Sequence, residues 1–322
     1  MTTSRRPFGR ALCAMVTPFT PSAELDRAGA RTLARRLVDR GCDGLVLNGT
    51  SGESATTTDA EKTALIEAVC AEVGDRAHVI AGVGSADTRH TLALARAAEH
   101  AGAHGLLVVT PYYSRPPQAD VEAHFLRIAE AARVPLMLYD IPARTGTRIE
   151  PATLIRLAAH PRVVAVKDCA YDLAGSSKVI ARTSLAYYSG CEELNLPLYA
   201  VGGAGFVSTV ANVAPGPLRD VLDAYDSGTG DCATGGTGTN GTAGGAYRTD
   251  GRAGSVRAHQ RALPLIEAMM ASGLPGTVTA KALLGRLGLP GGPVREPLRP
   301  AGRETADGLL GLYGELVGAA AT

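Results

Sequence analysis

Lysine is scarce in this chain, and its scarcity is informative. Of the 32 basic residues only Lys62, Lys167, Lys178 and Lys281 are lysines. A net charge of +1 leaves no basic footprint, which argues against nucleic acid as a partner. Six cysteines (Cys13, Cys42, Cys70, Cys169, Cys191, Cys232) lie far apart with no paired metal-ligand spacing, so no metal is expected. They read as reduced thiols in a core. No apolar run approaches a membrane span. Ser4-Arg5-Arg6-Pro7-Phe8 mimics a twin-arginine export signal, but the apolar stretch behind it, Ala11 to Val16, is short and runs into Pro18. A cytoplasmic protein is the expectation.

What is present is an alternation. Eight short apolar runs read as strands: Leu12–Val16, Gly44–Leu47, His78–Ala81, Gly105–Val109, Leu136–Tyr139, Val163–Lys167, Leu185–Ser189 and Gly205–Val207. Amphipathic helices lie between them. One is capped by Asp26 and ended by Gly41, the next opens on a Thr58/Glu61 capping box and stops at Gly74, and a later one starts at Pro151. Eight βα units in a row predict a (β/α)8 TIM barrel, with a doubly wound sheet as the rival. Residues 1–226 form the expected catalytic barrel. Residues 227–251 are a Gly/Thr-rich stretch whose composition predicts a flexible insertion. Residues 252–322 are the expected C-terminal helical region, with helices over Ser255–Ser272, Val278–Leu287 and Arg303–Gly318.

In a parallel barrel, chemistry sits where strands end. Val163-Val-Ala-Val-Lys167 is a buried strand ending in a lysine. An ammonium, unlike a guanidinium, can lose its proton and attack a carbonyl, although a strand-end lysine can also simply reach solvent. Tyr139 closes the neighbouring strand, within about 4.8 Å in the ladder direction, where a phenol can shuttle protons to an amine. Asn48-Gly-Thr-Ser-Gly-Glu-Ser54 follows the second strand and offers hydroxyls and backbone amides to a carboxylate; an ordinary turn would read the same way. Thr110-Pro-Tyr-Tyr-Ser-Arg-Pro-Pro117 is a stiff loop displaying two phenols, suited to packing or a subunit contact. Arg144 lies in the loop after Tyr139, where it can hold a carboxylate bidentately or stay solvated.

Together these motifs resemble the dihydrodipicolinate synthase / N-acetylneuraminate lyase family. The resemblance rests on Gly49-Thr-Ser-Gly-Glu-Ser54, Thr110-Pro-Tyr-Tyr113, Tyr139-Asp-Ile-Pro142 with Arg144, Val166-Lys167-Asp168, Ser189-Gly190 and Gly205-Phe-Val-Ser208. It implies a class I aldolase on a barrel with a C-terminal helical region, a homotetramer built as a dimer of dimers, and no cofactor. By the same resemblance, Lys167 forms an imine with pyruvate and Tyr139 donates and accepts the proton. Thr50 and Tyr113 complete the relay, Tyr113 from a neighbouring subunit. Ser51 and the backbone of Val207 hold the pyruvate carboxylate. Arg144, usual in the synthase branch, binds the carboxylate of L-aspartate 4-semialdehyde.

The implied reaction condenses these two substrates to 4-hydroxy-tetrahydrodipicolinate, on the way to diaminopimelate and lysine. A pyruvate aldolase acting on a sugar acid or secondary metabolite is the alternative, and a silent scaffold paralogue a further one. Two departures stand out. Ala170-Tyr171 replaces a small Thr-Gly or Ser-Gly pair, and Cys191-Glu192-Glu193 follows Ser189-Gly190. In lysine-sensitive members an inhibitor site lies at positions matching Asp59, Lys62, Ala86 and His90. The residues here meet a lysine ligand poorly, Lys62 bringing a like charge.

Overall fold

The computed structural model describes residues 6–228 and 250–318. Strands β1 (Ala11–Ala14), β2 (Gly44–Leu47), β3 (His78–Gly82), β4 (Gly105–Val109), β5 (Leu136–Asp140), β6 (Val163–Asp168), β7 (Ala186–Ser189) and β8 (Gly205–Ser208) pair in parallel and close into a barrel in chain order. Helices α1 (Arg27–Asp39), α2 (Asp59–Val73), α3 (Thr88–His100), α4 (Gln118–Ala131), α5 (Pro142–Thr145) and α6 (Pro151–Leu157) follow the first five strands. The rest are α7 (Leu173–Ile180), α8 (Asn195–Ala200), α9 (Pro215–Ser227), α10 (Asp250–Met270), α11 (Gly276–Arg286) and α12 (Arg303–Gly318). The doubly wound alternative is thereby excluded.

Local chemistry explains the boundaries. Asp26 caps α1 by accepting from the Gly29 amide at 2.8 Å. Thr58 and Glu61 form a reciprocal capping box at the start of α2, and Pro151 occupies the first turn of α6, where its missing N–H costs nothing. The strands are almost wholly buried on both faces, as a sheet wrapped by helices requires.

Two apolar layers result. Inside the barrel lie Leu12, Val46, Ile80, Leu107, Met137, Ala165, Ala186 and Val207. Between barrel and helices lies the larger cluster that includes Leu33, Leu65, Val108, Phe125, Leu138 and Leu218. Phe8 closes the N-terminal end of the barrel. A Cβ on Gly105 would come within 2.7 Å of its ring, so glycine there permits the plug. Tyr188 holds the same arm by donating to the Gly9 carbonyl at 2.9 Å. The opposite end is left for chemistry.

Most of the 227–251 stretch lies outside the described residues. Its flanks are described, and they touch: Ser227 ends α9, and Gly251 lies in the first turn of α10. A Cβ on Gly228 would sit 2.7 Å from Gly251 Cα, so two backbones without side chains meet there. Ser255 donates to the Val221 carbonyl at 2.7 Å and fastens α10 along α9.

Candidate active site

Lys167 sits near the end of β6 and is only 6% exposed. The β5–β6 ladder pairs it directly with Tyr139, and its Nζ lies 4.5 Å from the Tyr139 ring centroid. Burial pushes the Tyr139 phenol well above the usual tyrosine range, and the Cys169 thiol beside it adds to this. Thr50 nearby and the charge of Arg144 pull the other way. The phenol is therefore neutral at rest, close to an amine and a hydroxyl, and able to pass a proton between them. Gly190 explains how the lysine fits. A Cβ at this position would strike Cys169 Sγ and come 2.7 Å from Lys167 Cε.

The loop after β2 carries Thr50, exposed at the mouth, and Ser51, buried. Three of its amides are engaged within the loop. The Gly52 and Glu53 amides donate to the Gly49 and Thr50 carbonyls at 3.1 Å each, and the Ser54 amide to the Gly49 carbonyl at 3.2 Å. These three donors close the second half of the loop on itself. The Ser51 hydroxyl pairs with that of Thr209 at 2.7 Å. Thr209 follows β8, and the buried Glu192 carboxylate accepts from its amide at 2.6 Å and from the Val210 amide at 3.2 Å. Burial raises the Glu192 carboxyl.

The same loop is anchored from the C-terminal helices. Thr277 Oγ1 donates to the Ser51 carbonyl at 3.3 Å. Lys281 Nζ pairs with Glu53 Oε1 at 2.6 Å, with both side chains at most 3% exposed. Lys281 also donates to the Pro293 carbonyl at 2.8 Å and lies 4.0 Å from the Phe19 ring centroid. Burial lowers it to about 8, with Glu53 opposing the drop. The Arg295 amide reaches the other Glu53 oxygen at 2.8 Å.

The other expected residues are spread around the rim. Arg144 is exposed on α5, close enough for its charge to act on Tyr139. Val207 lies on β8 with its side chain in the inner layer. Tyr113 is 95% exposed and stands outside its own barrel mouth, so the structure brings together Lys167, Tyr139 and Thr50 but not Tyr113. Tyr171 adopts φ 55, a left-handed backbone that favours glycine, which accounts for the small residue common there. Its hydroxyl donates to Glu193 at 2.8 Å along the rim, and the side chain stays 63% exposed.

One perturbed group is a decoy. Burial raises the Asp140 carboxyl to about 7, and Asp168 beside it adds to this. Strand alternation places Asp140 and Asp168 opposite to Tyr139 and Lys167, facing the helices. There Asp140 accepts from the Ile149 amide at 3.1 Å and Asp168 from the Ala170 amide at 2.8 Å, shaping loops rather than substrate.

Three comparisons bear on this arrangement. A 4-hydroxy-tetrahydrodipicolinate synthase 1 of Streptomyces coelicolor is 66% identical over 310 residues, covering 96% of this chain and 94% of that one. The crystal structure of a dihydrodipicolinate synthase from Cyanidioschyzon merolae with lysine bound superposes with a TM-score of 0.86 at 32% identity, over 97% of this chain and 99% of that one. A monomeric dihydrodipicolinate synthase variant gives the same TM-score at 29% identity, over 98% and 99% of the two chains. The sequence profile of the Dihydrodipicolinate synthetase family matches residues 7–236. With a closed barrel, a buried strand-end lysine and a tyrosine in register beside it, the chain belongs to that family.

Proposed function

We propose that this chain condenses pyruvate with L-aspartate 4-semialdehyde, giving 4-hydroxy-tetrahydrodipicolinate for diaminopimelate and lysine synthesis. The observation that carries the reading is the buried Lys167 amine held 4.5 Å from the Tyr139 ring centroid, with Thr50 near enough to act on that phenol.

Lys167 Nζ attacks the pyruvate ketone, and loss of water leaves a cationic imine. Tyr139 supplies and recovers the proton, passing it along Thr50. Ser51, fixed by Thr209, and the backbone of Val207 receive the pyruvate carboxylate. The imine acidifies the adjacent methyl, and the resulting enamine adds to the aldehyde. Arg144 takes the carboxylate of the aldehyde substrate, whose amino group closes the ring and frees Lys167. Tyr113 projects so far from its own mouth that it suits a neighbour's relay, which supports the tetrameric reading. Borohydride treatment in the presence of pyruvate, followed by a panel of aldehydes, tests the whole scheme. A reduced pyruvyl adduct and turnover with aspartate semialdehyde are expected. Turnover confined to sugar aldehydes would transfer the chain to the pyruvate-aldolase alternative.

Arg144→Ala is expected to trap pyruvate normally while losing kcat/KM for the aldehyde. One charge-assisted carboxylate contact is worth about 1.5–3 kcal/mol, so the loss is about 10- to 150-fold. An unchanged kcat/KM would remove Arg144 from the site.

Lysine is expected to inhibit weakly. Asp59, the carboxylate available to a ligand ammonium, is engaged by His90 at 2.9 Å, and Ala86 offers no side-chain hydrogen bond. Lys62 does not oppose a ligand in the way its charge suggests. It is buried, its Nζ donates to the Thr57 carbonyl, and burial lowers its pKa. Steady-state rates with lysine titrated to millimolar levels check this, strong saturable inhibition being the contrary result.

A further inference from the structure

Two thiols lie in the inner layer that holds Tyr139, and the condensation uses neither. Cys169 follows β6 directly, and Cys191 lies two residues beyond β7. The register that pairs Asp168 with Ser189 sets Cys169 beside Gly190, the residue before Cys191. A Cβ on Gly190 would strike Cys169 Sγ, so that sulfur lies against the backbone next to Cys191. Both side chains belong to the inner layer that holds Tyr139, each residue is 6% exposed, and the two thiols lie near enough to shift each other's titration.

We propose that Cys169 and Cys191 form a reversible modification site, at which a hydroperoxide joins them in a disulfide that shuts down the active site. The nearby Cys191 thiol, helped by the Lys167 charge, holds the Cys169 thiol below its usual range despite burial. The Cys169 thiolate attacks one peroxide oxygen, the O–O bond breaks, and the other oxygen departs with a proton as an alcohol or water. This leaves a sulfenic acid on Cys169. The Cys191 sulfur then attacks that sulfur, the S–O bond breaks, and water leaves with the Cys191 proton. Two thiols have lost two electrons and two protons, and the peroxide has taken them up.

The position of the bond explains its effect. Cys169 lies beside the Tyr139 phenol and acts on its titration, and Gly190 separates its sulfur from Lys167 Cε with no room for a Cβ. Converting that thiol to a disulfide removes a partner of the phenol and fixes sulfur against the lysine stem. A second contacting pair, Cys13 and Cys42, serves as an internal control. It lies in the layer between barrel and helices, away from the mouth, at 0% and 4% exposure. Cys70 stands on α2, where burial raises it to about 11.

The loss of activity rests on the proposed role of Lys167, whereas formation of the bond does not. The full-length protein is treated with tert-butyl hydroperoxide and digested without reduction, with turnover measured in parallel. A peptide linking Cys169 to Cys191 is expected, rising in step with a loss of turnover of at least tenfold, both reversed by dithiothreitol. Cys191→Ser is expected to retain turnover, form no linked peptide and accumulate a dimedone-reactive Cys169. Borohydride trapping of pyruvate on the reduced protein separates the two readings. If the reduced protein fails to trap, the assignment of Lys167 is at fault. Normal trapping with no linked peptide, or a linked peptide with undiminished turnover, overturns the proposal.

Discussion

Lys167→Arg is expected to fold, keep its charge and trap no pyruvate. The substitution preserves a cation at the end of β6, and the barrel does not depend on which cation it is. A guanidinium stays protonated, so it cannot form the imine. Removing a nucleophile from a catalytic unit costs roughly 10⁴–10⁶-fold in turnover. Borohydride trapping followed by mass measurement reads the chemistry directly, and circular dichroism checks the fold. The other deeply buried lysine does not offer a substitute. Lys281 is ion-paired with Glu53 and donates to the Pro293 carbonyl. If Lys167→Arg still traps pyruvate at a comparable rate, the nucleophile is elsewhere.

Lys281→Met is the second large effect, and it strikes stability first. Glu53 is 1% exposed at its side chain and pairs with Lys281 at 2.6 Å. Methionine fills a similar volume but leaves the carboxylate in an apolar setting with the Arg295 amide as its remaining close donor. Breaking one side of a buried pair costs about 3–5 kcal/mol. Urea unfolding measures it, and pairing the change with Glu53→Gln is expected to restore part of the loss, because both charges are then gone. The loop bearing Thr50 and Ser51 hangs on this pair, so KM for pyruvate should rise as well. A single variant within about 1 kcal/mol of the parent, an ordinary surface-like effect, would show that Glu53 finds another partner.

The barrel was legible because its strands are near-continuous apolar runs, a pattern that only a doubly covered sheet tolerates. The eight expected segments differ from the observed strands only at their ends; Leu12–Val16 was expected where Ala11–Ala14 forms. Lys167, Tyr139 and Thr50 were legible too, since each ends or closely follows a strand. What could not be read were contacts between distant parts of the chain. Nothing near Ser51 announces Thr209, and nothing in α11 says that Lys281 will meet Glu53. Each of those pairs joins segments more than 150 residues apart, and periodicity carries no information about such meetings. Tyr171 stood out in the sequence as a departure, and its phenol ties to Glu193 along the rim. The left-handed backbone that glycine normally serves there sets this direction, and side-chain identity alone does not reveal it.

The meeting of Gly228 and Gly251 has a practical meaning. The chain leaves α9 and returns at α10 through what is nearly a single point, and the pairing of those helices fixes the gap whatever its contour length. Loop-closure cost grows only as the logarithm of length, so the site behaves as a splice junction. A folded guest whose termini lie close together can be seated there without being felt at the barrel mouth. Gly251→Ala, in contrast, would force the two helices apart at the one place where the junction is drawn tight.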